Sequence, residues 1–118
     1  MTQRDRGSAT AELATALPVL VLLLWVALAA VAAVTAQLRC VDAAREGARA
    51  ASRGEPPARV AALAGQVAPD GARVRVAPDS PDTVAVTVTG RVPLVGRLLS
   101  PITVRARAVA LVEPGVPS

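Results

Sequence analysis

Few side chains in this sequence can do covalent or acid–base chemistry, and their types narrow what that chemistry is. Among the 118 residues there is no histidine and a single cysteine, Cys40. That inventory excludes a histidine-based catalytic triad and a zinc centre. It also excludes an intrachain disulfide. Gln37-Leu38-Arg39 ahead of Cys40 does not supply the small residue that a lipoprotein anchor site needs, so Cys40 reads as a small packing residue. Carboxylates remain, but no pair of acids sits on a recognisable scaffold. Neither an enzyme nor a cofactor is expected. The acid with the most telling surroundings is Glu12, at the edge of a long uncharged run. Read plainly, Ser8 or Thr10 followed by Glu12 is helix-start chemistry, with an acid favoured in the first turn. The place of Glu12 at the boundary of that run also lets it remain a solvated carboxylate at headgroup level, which costs little.

The element that must position Glu12 is the apolar stretch Leu13–Ala36, 24 residues without a charge. About 20 apolar residues suffice to cross a hydrocarbon core of roughly 30 Å as a helix, and in lipid a helix satisfies its own backbone. A chain this short cannot surround such a helix with protein on all sides. The stretch therefore reads as a single membrane span. Pro18 inside it removes one helical hydrogen bond and predicts a kink near the first turns.

Composition bounds the remainder. Hydrophobic residues make up 53%, aromatics 1%, and the net charge is +4. A core outside the membrane must then be built from Val, Leu, Ile and Ala, which supports a small domain. All thirteen basic residues are Arg, without basic blocks or aromatic platforms, so nucleic acid is not an expected partner.

Residues 1–7 form a short polar leader ahead of the span. The order Arg6-Gly7-Ser8-Ala9-Thr10-Ala11-Glu12 resembles the class III, prepilin-like signals of type IV pilins. There a leader ends in glycine and a glutamate lies five residues into the mature chain. Gly7 would be the last leader residue, Ser8 the new N-terminus and Glu12 the fifth mature residue. A glycine offers a peptidase a side-chain-free approach to the scissile bond. In pilins the glutamate pairs with the N-terminal amine of a neighbouring subunit, which offsets the cost of burying either charge. Two other readings stay open: an uncleaved signal anchor, and a secretory peptide cut near Ala36.

Beyond the span the helix is expected to continue to Arg53. Asp42/Arg45 and Glu46/Arg49 fall at i,i+3. Small residues recur every four positions at Ala32, Ala36, Cys40, Ala44 and Ala48, and again at Ala43, Gly47 and Ala51. Such rows allow close helix packing. From Ser8 to Arg53 the helix would reach roughly 69 Å at 1.5 Å per residue. Gly54 with Pro56-Pro57 stops it. Ala58–Ala68 has the spacing of a short amphipathic helix, ended by Pro69-Asp70-Gly71. Then the period changes to two. Residues 72–77 and 83–89 predict an antiparallel hairpin around a Pro78–Asp82 turn, with Val74, Val76, Val84, Val86 and Val88 on one face and Gly90 as its end. Arg91–Pro101 reads as an apolar loop, Ile102–Val112 as a further alternating strand, and the tail from Glu113 as disordered by composition.

Taken in order, the leader, the RGSATAEL segment, the span, Arg45-Glu46-Gly47-Ala48-Arg49-Ala50-Ala51, the valine hairpin and the closing strand resemble the TadE-like family. These are pilin-like proteins of the tight-adherence (Tad/Flp) pilus systems of bacteria, and the resemblance covers nearly the whole chain. It implies an α+β, type IV pilin-like fold: a long N-terminal transmembrane helix, a short helix and a three- or four-stranded antiparallel sheet. The implied organisation is a leader at 1–7, a long helix at 8–53 with its span at 13–36, and a small extracytoplasmic domain at 54–118. The implied function is that of a minor pilin or pseudopilin in the plasma membrane, N-terminus cytoplasmic and C-terminal domain outside. The implied partners are the lipid bilayer, other pilin-like subunits, the Tad secretion machinery, and a prepilin peptidase that cuts between Gly7 and Ser8. Glu12 would carry assembly. The sparse aromatics and small outer domain depart from what a specific adhesive contact would need. The alternative is an uncleaved, single-span envelope protein whose outer domain binds a partner.

Overall fold

The computed structural model describes residues 3–93 and 100–112. Its element order is helix α1 (Gln3–Ser52), helix α2 (Pro57–Val67), and strands β1 (Arg73–Ser80), β2 (Thr83–Val92) and β3 (Ile102–Leu111). The expected long helix, short helix and small antiparallel sheet are all present, and the sheet has three strands in the order β1-β2-β3. The expected tail from Glu113 and most of the expected 91–101 loop lie outside the described residues. The chain divides into two compact units, Met1–Val31 and Ala32–Ser118.

The described residues of the first unit all belong to α1. Its large apolar side chains point outwards all around the helix: Leu13 and Leu22 are each 63% exposed, and Trp25 is 52% exposed. A helix that is apolar on every side is either enclosed by a large core or surrounded by lipid; the described residues do not enclose this one, and α1 is long and apolar enough to cross a membrane. Pro18 lies within it.

In the second unit α1 changes character. Cys40, Ala43, Ala44, Gly47, Ala48, Ala50 and Ala51 are buried, and all are small. Bulk on the facing side comes from valines, with Val60 of α2 and Val86 and Val88 of β2 at most 1% exposed. Fully burying such a side chain stabilises the fold by about 1.5–3 kcal/mol. Gly54, at φ +81°, ends the helix in the left-handed conformation that glycine tolerates. Pro57 then occupies the first turn of α2, where no amide hydrogen is needed.

The hairpin register pairs Val74 with Val88 and Val76 with Val86, so the five expected valines share the core face. The turn is tighter than expected. β1 continues to Ser80, across a register irregularity between Pro78 and Ser80. Pro78 is tolerated because β1 is an edge strand, where a missing ladder donor costs little. Gly90 does not end β2. The strand runs on to Val92, and Gly90 pairs with Val104 of β3. The reason is a close approach: a Cβ at Gly90 would lie 3.2 Å from Cys40 Sγ and 3.3 Å from Val104 Cγ2. On β3 the inward set Val104, Ala106, Ala108 and Ala110 packs into or against the core, whereas Ile102 is 40% exposed.

Candidate functional site

The sequence singled out two groups of residues, and they have opposite environments. Gly7, Ser8 and Glu12 are exposed on α1. Ser8, Glu12, Thr15 and Val19 fall on one helix face and border an open groove, as the i, i+4 and i, i+7 spacings dictate. Thr15 turns its hydroxyl back to the Ala11 carbonyl at 2.9 Å. The Gly7–Ser8 bond lies inside α1, which begins at Gln3. A Cβ added at Gly7 would meet nothing within 4 Å. No packing requirement in the described structure therefore asks for glycine there.

Ala43, Gly47 and Ala51 are, by contrast, fully engaged within their own chain. A Cβ at Gly47 would sit 2.7 Å from Val86 Cγ1 and 3.3 Å from the Ala64 Cβ of α2. The glycine is what allows α1 to reach β2 and α2 at once. Residues 45–51 read REGARAA, and their small members are buried while Arg45 and Arg49 face outwards. Of the two anticipated i,i+3 pairs, Glu46 and Arg49 approach to 3.2 Å. Asp42 and Arg45 form no ion pair among the described residues.

Cys40 is fully buried. Desolvation raises its thiol pKa above the ordinary value, partly opposed by the nearby Arg39 charge and a backbone hydrogen bond at Gly90. A buried thiol held in this form is a packing group rather than a nucleophile. Among the described residues no group of His, Cys, Asp or Glu could hold a metal ion. The contact that sequence reasoning missed is Cys40 with Gly90. Its signal was a glycine inside a strand-like alternation, which marks a close backbone approach as well as a strand end.

Two side-chain hydrogen bonds fasten α1 to the rest of the second unit just past the apolar run. Gln37 Nε2 donates to the Arg105 carbonyl at 3.0 Å, and Arg39 Nη2 donates to the Ala68 carbonyl at 3.1 Å. They hold α1 at both β3 and the end of α2.

The TadE-like protein family model matches residues 7–49, which contain every one of the singled-out positions except Ala51. The apoptosis inhibitor Rv3655c of Mycobacterium tuberculosis is 43% identical over 104 residues, covering 88% of this chain and 78% of that protein. No solved structure matches the chain. The α+β pilin-like architecture, the apolar N-terminal helix, the family match and the extended likeness to the mycobacterial protein agree, and the chain belongs to the TadE-like family.

Proposed function

We propose that this protein is a membrane-anchored minor pilin or pseudopilin that assists assembly of a Tad/Flp-type pilus, processed between Gly7 and Ser8. The observation that carries the proposal is Gly7-Ser8 with Glu12 directly ahead of the apolar stretch, inside the segment that matches the family. Gly7 has no packing role in α1, which fits a residue kept for a peptidase's backbone approach. Cleavage there leaves the new amine of Ser8 one turn from Glu12 on a shared face. The carboxylate, at the edge of lipid, then has a neighbour's amine as its counter-charge during assembly. Because the bond lies within a helix, the peptidase must unwind the first turns of α1 to reach it. The working topology has residues 1–7 in the cytoplasm and the sheet outside.

The second reading is an uncleaved, single-span envelope protein with a partner-binding outer domain. Two observations favour it: α1 runs unbroken through Gly7–Ser8, and the mycobacterial relative is named for inhibiting apoptosis rather than for a pilus. Intact mass of the protein extracted from its host's membranes separates the readings. A chain starting at Ser8 supports processing. A chain retaining residues 3–7 overturns it and leaves the uncleaved anchor.

A further inference from the structure

The core face of the sheet is valine and alanine, and its outer face is arginine and threonine. Strand register puts Arg73 beside Thr89 and Arg75 beside Thr87, with Arg105 and Arg107 on the far side of those threonines and Arg91 beside Thr103. All five arginines are exposed. Only Arg107 among them is in an ion pair, with Asp79, among the described residues. Four like charges thus share one small face with no ion pair among the described residues, an arrangement that attracts anions.

Three of these arginines gather at one end of the sheet. Gly71, Arg73, Thr89, Arg91 and Thr103 line a hollow of about 140 Å³, and Arg105 flanks it through its pairing with Thr89. That end is fixed along α1 by two contacts: Gly90 packs at Cys40, and the Arg105 carbonyl accepts from Gln37. The opposite end of the hairpin lies by Ala51, where Val84 borders the same crevice. The apolar run ends at Ala36, within the same compact unit. Cys40 lies four helical steps beyond Ala36, roughly 6 Å along the axis. The headgroup layer of each leaflet is about 5–7 Å thick. The arginine end of the sheet is therefore the end nearest Ala36, where the apolar run stops. Arginine is suited to that site, since its fork matches phosphate oxygens and its long stem reaches sideways to them.

We propose that Arg73, Arg91 and Arg105, around Thr89 and Thr103, bind the phosphate groups of anionic phospholipids at the surface of the bilayer that α1 enters. The site gives the sheet a preference for anionic over neutral lipid. It does not depend on which leaflet the domain faces or on cleavage at Gly7. It does rest on the apolar run being in the bilayer.

The test uses the full chain in nanodiscs of equal phosphatidylglycerol and phosphatidylcholine, with the lipid retained on release measured by native mass spectrometry. The expected result is a roughly fivefold enrichment of phosphatidylglycerol, the size that one surface arginine's attraction confers. It should be lost in R73Q/R91Q/R105Q, kept when the same three are Lys, and kept in R49Q/R53Q/R59Q, which removes equal charge elsewhere. Amide exchange of β2 reports that each variant is folded. On the unmodified protein, 0.5 M salt must also erase the enrichment, so the proposal stays exposed to failure even if a variant does not fold. Equal retention of both lipids overturns it, as does the same loss in R49Q/R53Q/R59Q. So does an unchanged lipid preference in R73Q/R91Q/R105Q together with loss of a co-purifying acidic protein, which would make the face a protein site. Failure to enter discs of either lipid would remove the membrane reading itself, a result distinguishable from indifference to lipid charge.

Discussion

The two stretches of α1 solve opposite problems with the same backbone. From Leu13 to Val34 the large apolar side chains are all more than half exposed, which water would penalise and lipid does not. From Cys40 to Ala51 the buried positions carry nothing larger than a thiol or methyl. One stretch maximises apolar surface because its partner is fluid and adapts to any shape. The other minimises side-chain volume because its partner is a rigid sheet, packed as densely as an organic crystal. Hydrophobicity alone does not distinguish them; side-chain size does.

Substitutions that exchange the two solutions should show the contrast, and the largest effect is expected from a charge in the first stretch. Leu22→Arg places a cation at mid-span at a cost of about 2.5–3.5 kcal/mol. A drop in the carbonate-resistant membrane fraction checks this, while the fold of the sheet domain should be unaffected. Next comes Val86→Ala. It removes two methyl groups fully buried against Gly47, with an expected loss of about 2–3 kcal/mol including the cavity left behind. A lowered urea midpoint of the second unit would register it.

The same swap made in both stretches sharpens the comparison further. Ala27→Leu, at an exposed position, should leave stability and insertion unchanged. Ala43→Leu, at a fully buried one, should overpack the helix–sheet contact by about 1–3 kcal/mol. Equal melting points for the two variants would break the size argument. Gly47→Ala is subtler, because alanine gains about 1 kcal/mol of helix propensity while its Cβ would have to displace Val86. A net destabilisation of about 1 kcal/mol is expected, detectable as a fall of several degrees in melting temperature.

The smallest effect concerns Cys40. Its pKa is raised on folding by desolvation, so the folded state holds the thiol proton more tightly than the unfolded state. Stability is then constant below the unfolded thiol pKa and declines as pH rises through it towards the folded value. A denaturation series across that alkaline window should show the slope, and Cys40→Ala should flatten it. Separately, Glu12→Ala should leave the melting of the sheet domain untouched while abolishing filament assembly. Intact assembly in that variant would count heavily against the pilin mechanism.

Much of this organisation was legible in the sequence because it follows from local chemistry. The uncharged run to Ala36, the Gly54-Pro56-Pro57 stop and the alternating valines each report a period or a conformational limit of a few neighbouring residues. Gly90 and the Pro78–Asp82 turn were misplaced for a related reason. A glycine or proline inside an alternating pattern signals either an end or a close approach, and only the partner across the sheet tells which. At the Gly7–Glu12 segment the sequence and the family match carry the reading, since the fold adds little to residues that face outwards.

The sequence by itself determined that a span precedes a small valine-and-alanine domain, because length, charge and periodicity are properties of the chain. It also determined which residues of α1 are small. The tertiary structure decided what those small residues are for. Gly47 meets Val86 of β2 and Ala64 of α2, and Ala43 and Ala51 join the same buried core, a choice that depends on which element folds back onto the helix and at what height. The tertiary structure likewise decided that arginines from three separate strands share one end of one face. Strand register sets that coincidence, and register arises from pairing between residues far apart in sequence.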